Sequence, residues 1–240
     1  MNSGNSIYLQ FAGTTQKWCI SDTEKLWKSN YANPEKRELL SSLGWTADSI
    51  SYRFNDQGFR SDDFVGDGCL FLGCSTTAGI GMDWERTWAY KVATALGLKC
   101  WNLGIGAGSN DTAFRLADYW IPRLKPKKVF YLAASESRIE LLTGNNIIQY
   151  MPNMPNKPIE KNEFYFRWLT NSLNYNLNYK KNKLAIQQIC STNSIPISII
   201  DDFDRWDCVA SNDFARDLMH AGVYWNESIA ERFLSKKAGY

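Results

Sequence analysis

The sequence predicts a three-layer α/β/α domain built on a parallel sheet. Two observations predict it: short apolar runs without polar alternation, and amphipathic helical segments between them. Cys69-Leu-Phe-Leu-Gly-Cys74 is a continuous apolar run, as a strand covered on both faces demands. Thr87 to Leu96 reads as a helix, with Trp88, Val92 and Leu96 on one face and Gly97 as its stop. Lys99-Cys-Trp-Asn-Leu103 is the second strand. Ser109 or Asn110 caps the next helix, whose Ala113, Leu116, Ala117, Trp120 and Ile121 share a face before Pro122. Lys128-Val-Phe-Tyr-Leu-Ala-Ala134 and Ile195-Pro-Ile-Ser-Ile-Ile200 are the third and fourth strands. Trp225, Ile229 and Phe233 give a C-terminal helix its apolar face. Strands separated by helices imply crossover connections with helices on both sides of the sheet.

Two regions depart from this rhythm. Residues 1–66 read as an N-terminal extension packed on the α/β domain of residues 67–240. The extension has helical pieces over Asp22–Ser29 and Glu35–Leu43 and a turn over Tyr52–Arg60. Residues 140–182 are rich in Asn, Pro and Tyr, including Met151-Pro-Asn-Met-Pro-Asn-Lys-Pro158, and read as an irregular insertion leading into a helix over about residues 163–192. Loops of that length usually serve as lids or binding loops.

Composition narrows the function. In 240 residues the apolar share is 44% and the charged share 22%, which fits a globular domain rather than a disordered chain. A net charge of +2 without a basic stripe argues against a nucleic-acid partner; Lys125, Lys127 and Lys128 read as a solvated loop. The first residues lack the pattern of a signal peptide, and no apolar run approaches the ~20 residues that span a bilayer. A soluble protein is expected. The six cysteines (19, 69, 74, 100, 190, 208) show no metal-ligand spacing, so neither a metal nor a cofactor is expected.

The chemistry gathers at one rim of the sheet, because in open parallel sheets the working site lies beyond the carboxyl ends of the strands. Ser75 follows the first strand, the Gly104–Asn110 loop the second, and Ala134–Arg138 the third. His220 is the sole histidine of the chain, with Asp217 three residues before it. Serine hydrolysis needs a hydroxyl, an imidazole to take its proton and a carboxylate to orient the imidazole. If this chain does that chemistry, His220 is the base; otherwise a lone histidine is a surface or capping residue. The Gly73–Gly81 turn lacks both the phosphate-binding G-x-x-x-x-G-K-[ST] and G-x-S-x-G.

These motifs, in order, resemble the SGNH (GDSL-like) hydrolases. That family has a Gly-Asp-Ser turn after its first strand, here Gly73-Cys74-Ser75. It has a glycine block after the second, here Asn102-Leu-Gly104-Ile-Gly106-Ala-Gly108, and Asp-x-x-His before the last helix, here Asp217-Leu-Met-His220. The run from Ser75 to Trp88, with Asn55 to Arg60, is most similar to SGNH proteins of tailed phages. The resemblance implies a flavodoxin-like strand order. It implies Ser75 as nucleophile, His220 as general base and acid, and Asp217 as its orienting carboxylate. The Ser75 N–H with those of Gly104 or Gly106 would stabilise the oxyanion. The implied reaction is hydrolysis of a carboxylic ester, such as an O-acetyl group on a carbohydrate, through an acyl-enzyme. Implied partners are that ester and other virion proteins, and the implied location is the host cytoplasm or the virion.

The chain departs from the family at two points. Cys74 replaces the block-one aspartate, and the region near Ala133-Ala-Ser135-Glu136 lacks the block-three asparagine that donates to the oxyanion. Asn110 is a substitute donor, with a helix N-cap as its simpler role. Arg138 either binds an anionic substrate group or pairs with Glu136 or Glu140. Cys74 is a rival nucleophile expected to point into the core. Trp84, Trp88, Trp206 and Trp225 lie near the rim, where Trp225 is a candidate sugar-stacking surface, although most tryptophans pack cores. The departures motivate a second reading, a non-catalytic virion or carbohydrate-binding protein on the same scaffold.

Overall fold

The computed structural model describes residues 4–143, 146–151, 163–201 and 212–235. The N-terminal part holds strand β1 (Thr15–Gln16), helices α1 (Glu24–Ala32) and α2 (Pro34–Ser42), and strand β2 (Tyr52–Arg53), which pairs antiparallel with β1. Helix α1 starts two residues later than its composition predicts because the Thr23 hydroxyl accepts from Leu26 N and serves as the N-cap. Asn33 caps α2 in the same way, with Pro34 at its first position.

The core follows as β3 (Gly68–Leu72), α3 (Ser75–Ala78), α4 (Trp88–Ala95), β4 (Lys99–Asn102), α5 (Asn110–Leu124) and β5 (Lys128–Ala133). After a hairpin of β6 (Ile139–Thr143) and β7 (Asn146–Tyr150) come α6 (Glu163–Leu169), α7 (Ser172–Thr192), β8 (Ile197–Asp201) and α8 (Val223–Ser235). Strands β4-β3-β5-β8 form one parallel sheet in that order, with Leu70 opposite Val129 and Tyr131 opposite Ile199. The chain runs from β3 outward to β4, then crosses back to β5. The switch point therefore lies between β3 and β5, where open α/β sheets carry their crevice.

Alternate strand residues fill two cores. Leu70, Leu72, Val129 and Tyr131 pack with Leu116 and Ile121 of α5, Ile186 of α7, and Tyr8, Leu40, Tyr52 and Phe59 of the N-terminal part. Phe71, Phe130 and Leu132 pack on the other face with Trp88 and Val92 of α4 and Ile229 and Phe233 of α8. The result is an α/β/α sandwich. The five described cysteines are buried, and burial pushes the Cys69 thiol up to about 11.

Four local expectations are corrected. Leu96 is exposed, because α4 ends at Ala95 and Leu96 becomes its C-cap. Pro122 lies inside α5; the N–H it lacks would have met the carbonyl of the solvent-exposed Asp118 in the last turn. The region after Ile139 opens as a regular antiparallel hairpin, not as irregular chain. The helix expected over residues 163–192 is two helices, because the Asn171 side chain accepts from Leu173 N and starts a new one. The Met151–Pro158 run lies outside the described residues beyond Met151, as do Asp202, Trp206 and Cys208. Among the described residues no helix is long and apolar enough to cross a membrane.

Candidate active site

Ser75 is the first residue of α3, directly beyond β3, and Cys74 precedes it in extended conformation as the N-cap. Gly73 permits the turn by close approach: a Cβ there would stand 2.8 Å from Leu132 O. Ser75 Oγ lies 2.8 Å from His220 Nε2, and His220 Nδ1 lies 2.6 Å from Asp217 Oδ2. All three residues are buried. An ionised carboxylate only accepts, so Nδ1 carries the proton and Nε2 offers its lone pair to the Ser75 hydroxyl. That is the arrangement in which an imidazole can take a proton from serine.

The loop bearing Asp217 and His220 shapes itself. Asp217 Oδ1 accepts from the N–H groups of Met219 and His220, each at 3.0 Å, closing a turn in which Leu218 adopts a φ of +53°. Ala215 N–H donates to His220 O, and Gly222 N–H to Asp213 O, bracing the two limbs of the loop. Burial works to raise the Asp217 pKa, but the His220 charge and the bonds from His220, Met219 and Ser21 outweigh it and hold it below the ordinary carboxylate range. A depressed pKa contributes stability above the unfolded value of about 4, lost as pH falls through the lower folded value. The denaturation midpoint is therefore expected to fall between pH 6 and pH 3 more steeply in wild type than in Asp217→Asn. Equal slopes in urea titrations at the two pH values would refute this.

The N-terminal part supplies a second layer that spacing in the sequence does not reveal. Ser21 Oγ donates to Asp217 Oδ2 at 2.8 Å. Arg216, fully buried, forms an ion pair with Asp22 at 2.6 Å and donates to the carbonyls of Ala47 and Lys17. Asp22 also accepts from Tyr52 Oη, which in turn accepts from Gly81 N–H. The serine turn and the histidine loop are thus tied to one buried carboxylate. They also touch directly, since Arg216 N–H donates to Gly81 O. A Cβ on Gly81, whose φ is +74°, would stand 2.9 Å from Ala215 Cβ and 3.2 Å from Asp217 Oδ1. Arg60 clamps the same turn through the carbonyls of Gly79 and Met82. Removing one partner of a buried ion pair typically costs about 3–5 kcal/mol. At roughly 2–4 °C per kcal/mol for a chain of this size, Asp22→Ala is expected to lower Tm by roughly 6–20 °C. A calorimetric shift under 2 °C would contradict the clamp.

On the oxyanion side the structure redistributes the expected donors. Gly104 N–H donates to Asn102 Oδ1 at 2.8 Å, and Gly106 N–H to Tyr8 Oη at 2.6 Å, so both amides are engaged. Gly104 serves packing instead, because a Cβ there would stand 2.4 Å from Ala78 N. Asn110 is not the helix cap: Ser109 is, in a capping box with Thr112. The Asn110 carbonyl accepts from Tyr131 Oη and Ala134 N, and its amide donates to Ala134 O, which joins α5 to the end of β5. Ala107, at a φ of +59°, has an N–H with no acceptor among the described residues.

Arg138 is buried, and neither expected ion pair forms. Glu140 is held by Arg115, and the described residues give the Arg138 side chain one hydrogen bond, Nη1 to Gly108 O at 3.4 Å, with Tyr165 near enough to feel its charge. Trp225 is no stacking surface; it is buried in the core beneath α8, as Trp88 is beneath α4. Trp84 is half-buried against Tyr90 and Arg60. Cys74 is buried, with Sγ 3.4 Å from Thr76 Oγ1.

Comparison with solved structures finds low similarity to several enzymes. The psychrotrophic esterase EstA from Pseudoalteromonas sp. has 15% identity and a TM-score of 0.38, with 70% of this chain and 95% of that one covered. A lipase/acylhydrolase from Enterococcus faecalis has 11% identity and a TM-score of 0.38, covering 73% and 100%. An acetyl-xylooligosaccharide esterase from Geobacillus Stearmophilus has 15% identity and a TM-score of 0.35, covering 73% and 95%. No protein-family model and no curated protein matches the chain. The functional reading rests on the geometry of its own residues.

Proposed function

We propose that this protein is a serine ester hydrolase of the SGNH type. The observation that carries the reading is the hydrogen-bonded order Ser75–His220–Asp217, with the lone pair of Nε2 facing the hydroxyl. Ser75 Oγ attacks the ester carbonyl as its proton passes to His220 Nε2. The Ser75 N–H at the open start of α3 is assigned as one donor to the tetrahedral oxyanion, and the Ala107 N–H, with no acceptor among the described residues, as the second. The C–O bond then breaks, and His220 returns the proton to the leaving alcohol. Water, deprotonated by His220, attacks the acyl-enzyme, the Ser75 Oγ–acyl bond breaks, and the carboxylic acid leaves with Ser75 reprotonated. Asp217 keeps the imidazole in its tautomer and stabilises the imidazolium.

The likeness of the Ser75–Trp88 run to tailed-phage proteins points to an O-acetylated carbohydrate as substrate and to virion proteins as partners. Intact-mass analysis after incubation with a fluorophosphonate tests the reading: one adduct on wild type, absent from Ser75→Ala, is expected. The engaged amides of Gly104 and Gly106 favour the alternative, a scaffold that binds acylated carbohydrate without cleaving it. No adduct on the wild type would select that alternative.

A further inference from the structure

Four arginines are buried among the described residues, and three have their charge answered. Arg216 pairs with Asp22, and Arg115 with Glu140. Arg60 donates to the carbonyls of Ser51, Ala78, Gly79 and Met82 and lies over the Tyr52 and Trp84 rings. Arg138 is 8% exposed, with no carboxylate within ion-pair distance among the described residues and one long contact to Gly108 O. A buried guanidinium without a carboxylate partner is poised for an anion, because desolvation weakens its hydration without supplying a counter-charge.

Its position couples it to the candidate active site. Gly108, which it touches, ends the loop that carries Ala107, and a Cβ on Gly108 would stand 3.6 Å from Gly73 O. Ile105 N–H donates to the same Gly73 carbonyl, two residues before Ser75. Arg138 itself follows β5, the strand beside β3 at the switch point. The loop that Arg138 touches is thus the loop bonded to the serine turn.

We propose that the substrate carries a carboxylate, held by Arg138 while Ser75 attacks an ester elsewhere in the same molecule. The inference rests on the ester-hydrolase reading for its reaction, though not for its binding. A single guanidinium matches the single charge and two-oxygen edge of a carboxylate. A phosphate dianion would leave a charge unanswered. The carboxylate sits on the acyl part or on the alcohol part, and paired substrates separate the two.

For the acyl part the pair is mono-4-nitrophenyl succinate and 4-nitrophenyl butyrate; for the alcohol part, 3-acetoxybenzoate and phenyl acetate. Wild type is expected to prefer the charged member of one pair, with the preference shrinking as salt is raised. Arg138→Gln is expected to lower the charged-to-neutral ratio of kcat/KM by about 30-fold or more, and Arg138→Lys by less. No preference in either wild-type pair, or a ratio unmoved by Arg138→Gln, overturns the proposal. Calorimetric titration with sodium succinate separates its failure from that of the hydrolase reading. Binding to wild type and Ser75→Ala but not to Arg138→Gln sustains the anion site even if no ester is cleaved. No binding to wild type overturns it.

Discussion

Ser75→Ala is expected to lower kcat on 4-nitrophenyl acetate by a factor on the order of 10⁶, the loss typical when the serine of a working serine-histidine pair is removed. The hydroxyl supplies the bond-forming oxygen, and no neighbour can substitute from the same place. Thr76 and Thr77 are buried in α3, and Cys74 is its buried N-cap, with Sγ beside Thr76 Oγ1. The variant removes one oxygen and leaves the Arg216–Asp22 clamp intact, so its circular dichroism and Tm should stay close to wild type. Initial rates with both proteins decide the matter. Loss of less than tenfold would end the serine mechanism, and a matching loss in Cys74→Ala would move the attack to the thiolate. His220→Ala should fall as far as Ser75→Ala, and the double variant no further, because the two act as one unit.

Asp217→Asn is expected to lower kcat by a factor of about 10⁴ while the fold persists. The two carboxylate oxygens have separate tasks. Oδ1 accepts from the Met219 and His220 N–H groups, and Oδ2 accepts from His220 Nδ1 and Ser21 Oγ. In asparagine the carbonyl must stay with the two backbone donors, so the NH₂ faces Nδ1. The ring then carries its proton on Nε2, and it can no longer accept the Ser75 proton. The orientation of the imidazole survives but its tautomer does not, so kcat should fall far more than KM changes. At high pH, hydroxide-assisted attack should recover part of the rate. A loss below tenfold would show that Ser21 and the surrounding backbone orient the ring without the carboxylate.

Some of this arrangement is legible from composition and order. Continuous apolar runs such as Cys69–Leu72 and Val129–Ala133 mark strands covered on both faces, and Ser109-Asn110 marks the start of α5, where the structure selects Ser109 as the cap. Parallel order then brings Ser75 and the Gly104–Asn110 loop to one rim, because crossovers return each strand in the same direction. Other residues carry no local signal. Asp22 stands 194 positions from Arg216, and its own neighbourhood reads as a helix start. Tyr8 lies 98 positions from the Gly106 amide that it engages. Trp225 reads from the sequence as lying near the rim, but a helix turns successive side chains by about 100°, which carries it into the core.

By itself the sequence determined the parallel α/β architecture and which side chains stand at the ends of its strands, since burial and strand direction follow from local residue patterns. Only the folded chain sets which amides near Ser75 are engaged and which buried arginine lacks a carboxylate among the described residues. Hydrogen bonds in a buried site are exclusive, and the groups that claim Gly106 and Glu140, Tyr8 and Arg115, arrive from other segments of the chain, whereas Gly104 is claimed from two positions away by Asn102.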